Sequence, residues 1–156
     1  MNPRTKIFIS HATPKDNEFV IWLATRLRNE GYDIWYDLEG LLGGEFTWDD
    51  ITNVIKNETV KFIFVVSETS VKAQGALNEL NFAISVAKEF QFNDFIIPLK
   101  IDDSSFNSRI ELTRINFVRF DISLAHGLKK LLLKFNKDNV PNNLAPGSVL
   151  KNLIYI

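Results

Sequence analysis

Between residues 5 and 136 the apolar positions fall into two alternating kinds of run: short blocks suited to buried strands, and longer stretches with apolar residues three or four apart. Lys6-Ile7-Phe8-Ile9-Ser10 is β-rich, stops at a polar pair and predicts the first strand. Thr13-Pro14-Lys15-Asp16 reads as an N-cap, a proline at the first helical position and an acid in the first turn, ahead of Phe19, Trp22, Leu23 and Leu27 at helical spacing. Gly31 closes that helix, and Tyr32 to Tyr36 makes the second strand. Asp37 to Phe46, with Gly40, Gly43 and Gly44, is a loop, and Thr47-Trp48-Asp49-Asp50 caps a second helix that runs to about Lys56. Lys61 to Val66 is almost continuously apolar, the pattern of a central parallel strand covered on both faces. A third helix from Gly75 to Glu89 carries Leu77, Leu80, Ile84 and Ala87 on one stripe. Phe95 to Leu99 and Asn116 to Phe120 supply two more strands, and Leu124 to Phe135 the last helix.

Five strands alternating with helices predict an α/β fold, a doubly wound parallel sheet of flavodoxin-like order 2-1-3-4-5. Residues 1–136 form this domain. From 137 to 156 the composition turns to that of a linker and then ends on Leu150, Leu153, Ile154, Tyr155 and Ile156. That apolar end either packs back on the domain or leads into a further one, and the second is the expectation.

Composition narrows the chemistry. Lys plus Arg number 18 against 19 Asp plus Glu, so no basic field exists to hold nucleic acid. Cysteine is absent, which removes thiol nucleophiles, disulfides and Cys-based zinc sites and suits a reducing compartment. His11 and His126 are the two imidazoles, and His126 is given no role. With no long apolar stretch for a signal peptide or a membrane span, the chain is read as soluble and cytoplasmic.

In an open parallel sheet the ligand crevice lies beyond the carboxyl ends of the strands where the winding reverses, here between strands one and three. Strand one delivers Ser10 and His11 there, strand two Asp37 and its loop, and strand three Ser67 and the segment leading to Glu79. The usual phosphate-binding glycine signatures are missing, and Ser67 and Ser10-His11 stand where a phosphoacceptor domain of this topology would need acids.

The blocks KIFISHATP (Lys6 to Pro14), GYDIWYD (Gly31 to Asp37), VSETS (Val66 to Ser70) and NEL (Asn78 to Leu80) resemble the successive boxes of the TIR domain family, the loop after strand two matching its BB loop. Over the first ninety residues the chain is similar in particular to the N-terminal TIR domain of bacterial TIR–APAZ proteins, which partner short Argonautes. The resemblance implies cleavage of NAD as substrate, with no cofactor and no metal. Glu79 matches the catalytic glutamate, and Ser10, His11, Asp37, Trp48 and Ser67 are candidate substrate contacts. A lone carboxylate suits this reaction, because nicotinamide leaves a cationic precursor as a neutral molecule and needs no general acid, unlike an ordinary glycoside with its paired carboxylates. Gly75 stands where many family enzymes have a tryptophan, and Trp48 is the nearest substitute aromatic. Without that tryptophan to hold the adenine, the expected product is ADP-ribose. The resemblance also implies other TIR domains as partners, through Leu41, Leu42, Gly43, Gly44 and Phe46, and a short Argonaute that binds guide and target nucleic acid in antiphage or anti-plasmid defence. The rival reading is a non-enzymatic TIR scaffold that uses the same loop. A deoxyribosyltransferase-like enzyme shares the sheet but not the quoted boxes.

Overall fold

A computed structural model describes residues 3–36, 47–104 and 115–143. Its strands are β1 (Lys6–Ser10), β2 (Asp33–Tyr36), β3 (Thr59–Val66), β4 (Ile96–Lys100) and β5 (Val118–Arg119). They form one sheet of order β2-β1-β3-β4-β5, parallel at every pairing, as the alternation of runs predicts. The helices are α1 (Asn17–Asn29), α2 (Trp48–Asn57), α3 (Gln74–Phe90) and α4 (Leu124–Lys137), with a single 3-10 turn at Ser70–Lys72 before α3.

Strand alternation divides the core in two. Ile7, Ile9, Ile63, Val65, Ile97 and Leu99 point to the face covered by α1 and α4, whereas Phe8, Phe62, Phe64, Val66 and Ile96 point to the face covered by α2 and α3. On the second face Phe8 stacks between Trp35 and Phe62 at centroid distances of 4.7 and 5.1 Å. On the first, α4 approaches the end of β5 so closely that Gly127 leaves no room for a side chain against the Arg119 carbonyl and the Phe120 ring. Lys61 starts the first-face column below Ile63, and its buried ammonium is held by the Asp94 carbonyl at 2.6 Å and by Asp138 at 2.7 Å. That pair anchors the end of α4 to the foot of the central strand.

Several boundaries differ from expectation, each for a local reason. Thr47 and Asp50 do form a reciprocal capping box at the start of α2. Thr13-Pro14 does not open α1: residues 13–16 form a turn with a cis Thr13–Pro14 bond, and the helix starts at Asn17. Asp16 is therefore no exposed first-turn acid but a buried side chain. Gly31, at φ 91°, takes the left-handed position that follows α1. On α3 the fully buried residues are Ala76, Leu80, Ala83 and Val86, while Leu77, Ile84 and Ala87 pack only partly; small alanines let the helix lie close to the sheet. β5 pairs over two residues only. Packing continues beyond 136, since Val140 is in the first-face core and Asn142 and Asn143 bond to the Glu30 and Gly31 carbonyls. The rest of the expected tail lies outside the described residues. No described helix is long and apolar enough to cross a membrane.

Candidate active site

The carboxyl end of β1, the segment that follows it and the first turns of α2 and α3 line a cavity of about 300 Å³, with His11, Thr13, Trp48, Gly75, Asn78 and Glu79 among its walls. This lies at the lower end of ligand-pocket sizes, enough for one half of a dinucleotide. Glu79 reaches it because α3 crosses over β1, which places the second turn of the helix above the end of the strand. There Ser10 Oγ donates a hydrogen bond of 2.6 Å to Glu79 Oε1, across 69 positions of sequence. Such short bonds to an ionised acceptor are among the stronger ones.

His11 is the next residue along and is 7% exposed. Its Nε2 lies 3.0 Å from Asn17 Oδ1 and 3.3 Å from Thr13 Oγ1. Burial holds this imidazole below the usual histidine range, against the opposing pulls of the Asn17 hydrogen bond, the Asp16 charge and the Ile9 backbone. His11 is thus neutral at pH 7 and adds no positive charge to the cavity wall. A stability consequence follows with a definite sign. Because the folded value is below the unfolded one of about 6.5, unfolded chains take up the proton first as pH falls, and stability drops from about pH 6.5 downward until folded His11 is itself protonated. Urea midpoints measured from pH 7.5 to 5.5 should decline in the wild type and stay flatter in His11→Gln. Asp102 and Asp138, both held below the usual carboxylate value by their hydrogen-bond and charge partners despite opposing burial, act only at lower pH.

Trp48, the first residue of α2, is 47% exposed and lines the cavity mouth, its ring meeting Phe82 edge-on at 6.1 Å. Gly75 also lines the cavity and has open space where a side chain would be.

Not every candidate converges here. Ser67 does not reach the cavity: it is 3% exposed, its hydroxyl donates to Asp16 Oδ2 at 2.6 Å, and it exchanges backbone-to-hydroxyl bonds with Ser70. The tight turn after β3 folds Ser67 toward the start of α1, so it ties β3 to α1 and does not line the cavity. Ser10 likewise is 1% exposed and meets Glu79 from beneath rather than lining the cavity. Asp37 and the loop residues Leu41, Leu42, Gly43, Gly44 and Phe46 lie outside the described residues. Sequence reading gave no role to Asn17 and took Asp16 for a first-turn acid; the structure places Asn17 beside His11 and Asp16 beside Ser67. Among the described residues no group of three or more His, Cys, Asp or Glu side chains could hold a metal ion.

A family model for the TIR domain matches residues 7–132. An uncharacterized protein, y4cD of Sinorhizobium fredii, is 29% identical over 142 residues, covering 90% of this chain and 22% of that protein. The 2' cyclic ADP-D-ribose synthase BtTIR of Bacteroides thetaiotaomicron is 29% identical over 137 residues, covering 88% of this chain and 44% of the relative. The chain therefore spans less than half the length of either curated relative. Among solved structures, the TIR domain of the Toll-related receptor TRR-2 from Hydra magnipapillata superposes with a TM-score of 0.63 at 20% identity, over 84% of this chain and 97% of that one. The TIR domains of the activated Roq1 resistosome recognizing the effector XopQ give 0.59 at 15% identity, over 86% and 99%. These two likenesses concern the fold. With the order of its sheet, the boxes at the strand ends and a family match across nearly all described elements, the chain belongs to the TIR domain family.

Proposed function

We propose that this TIR domain cleaves the bond between nicotinamide and ribose in NAD, with Glu79 as the catalytic carboxylate. The observation that carries the reading is the Glu79 carboxylate, held by a buried hydroxyl in the wall of a cavity that also presents an exposed indole and a neutral histidine. The bond from ribose C1′ to the pyridinium nitrogen breaks with its electron pair going to nitrogen, so nicotinamide departs uncharged. The ribose is left oxocarbenium-like, and an anion close by stabilises that charge as it develops. A cationic histidine would oppose it, and His11 is not one. Water then adds at C1′, its surplus proton passing to solvent, and ADP-ribose results. The name of the Bacteroides relative favours a second reading of this last step, closure of the ribose on another hydroxyl of the same molecule to give a cyclic ADP-ribose. Chromatography of NAD incubated with the protein decides between them, nicotinamide with ADP-ribose being the expected pair.

The proposal includes activation by assembly. The loop containing Gly40, Gly43 and Gly44 is costly to order in a lone domain, and contacts from a neighbouring TIR domain to Leu41, Leu42 and Phe46 would supply that order. In a TIR–APAZ setting the trigger is recognition of guide and target by a short Argonaute, in defence against phages or plasmids, with residues 137–156 as the linker toward the APAZ part. NAD loss is expected to rise more steeply than protein concentration, and Phe46→Asp to hold it at the low, proportional rate of the dilute protein. Strict proportionality in both would end the assembly mechanism. No nicotinamide at any concentration or on forced clustering would instead favour the scaffold reading, to which exposed Phe117, Ile122 and Leu124 beside β5 would contribute a contact surface.

A further inference from the structure

Ser10 sits in the column of β1 that faces α2 and α3, directly after Phe8, and pairs in register with Phe64. Its neighbours on that face are aromatic or aliphatic and wholly buried. At such a position an alanine or valine would satisfy the fold, and a hydroxyl sealed from water is unfavourable unless it finds a partner. Ser10 finds one, Glu79, at 2.6 Å. Glutamate has three rotatable bonds, each of which must be fixed if its carboxylate is to keep one direction. A bond from below fixes one oxygen, and with it the direction in which the carboxylate faces the cavity.

We infer that Ser10 is a positioning residue, one that never touches NAD but holds the Glu79 carboxylate aimed at the ribose; this rests on the reading of Glu79 given above. The donor is a side-chain hydroxyl on β1, a strand paired on both sides, so the orientation is in place before substrate arrives. Its contribution belongs to the transition state, where charge on the ribose is greatest. Loss of the hydroxyl therefore lowers kcat and leaves KM nearly as it was.

Ser10→Ala should reduce kcat for nicotinamide release by about tenfold to a hundredfold, the range of a hydrogen bond to a charged group. Ser10→Thr, which keeps the hydroxyl, should recover most of the loss, whereas Ser10→Cys, with a weak donor of similar shape, should fall between. A purely structural role would give the opposite split, with lowered urea midpoints and unchanged kcat per folded molecule. A second readout needs no turnover: carbon-13 NMR titration of the Glu79 carboxyl should show its midpoint moving to higher pH in Ser10→Ala, since the bond favours the charged form. An unmoved midpoint, or full kcat in Ser10→Ala, overturns the positioning role. A moved midpoint together with no nicotinamide release from assembled wild-type protein overturns the function and leaves the Ser10–Glu79 pair standing. Should Ser10→Ala not fold, the same titration on Ser10→Cys carries the decision.

Discussion

Glu79→Gln should lower nicotinamide release from NAD by at least a hundredfold to a thousandfold while the fold stays intact. The substitution keeps the size of the side chain and an oxygen able to accept from Ser10 Oγ, so the cavity wall is preserved. It removes the charge and turns the second oxygen into an amide donor. An electrostatic stabiliser in a partly desolvated cavity is typically worth two to three powers of ten, because it is fixed beforehand and need not reorganise as the bond breaks. The check is kcat measured with a nicotinamide readout under assembling conditions, alongside near-ultraviolet circular dichroism of the two proteins. Retention of a tenth or more of wild-type kcat would show that another group stabilises the ribose.

Gly127→Val should cost about 2 kcal/mol or more of folding stability, read as a fall in the urea midpoint of roughly one molar. A Cβ at this position would lie 2.8 Å from the Arg119 carbonyl oxygen and 2.8 Å from ring carbons of Phe120. Neither can yield cheaply: the first is backbone at the end of β5, and the second is a core ring in edge contact with Phe19 and Trp22. Helix α4 must move off the sheet instead. Gly127→Ala places the same Cβ but regains about 1 kcal/mol of helix propensity, so its loss should be the smaller of the two. A valine variant as stable as wild type would mean that α4 can slide.

The contrast between what the sequence announced and what it hid follows from the range of the interactions involved. Local signals were readable. The apolar block Lys61 to Val66, the Thr47 and Asp50 cap, and Gly31 after α1 each depend on a few neighbouring residues, and with the right-handed crossover rule they give the whole sheet order. The Thr13-Pro14 pair misled because a turn and a helix start use the same residue types. Ser67 misled for a different reason: a serine after a strand says nothing about which way the next turn folds, and that direction depends on Asp16, far off in sequence. Glu79 was legible through the family resemblance, whereas its bond to Ser10 was not. Alternation puts Ser10 on the Phe8 face, and the crossover puts α3 over that face, but which turn of α3 lands on the strand end depends on packing by Ala76, Leu80 and Ala83.

The place of β1 between β2 and β3 also sets an order in time. β1 pairs on one side with β2, a near neighbour along the chain, but on the other with β3, which emerges from the ribosome only after α2. Closing that seam brings together distant segments at a large entropic cost before contacts repay it, so it belongs to the slow part of folding. The Ser10–Glu79 bond spans 69 positions and needs α3 laid across the closed seam. A nascent or half-folded chain therefore carries both groups without joining them, and the Ser10–Glu79 pair forms only once the domain is complete.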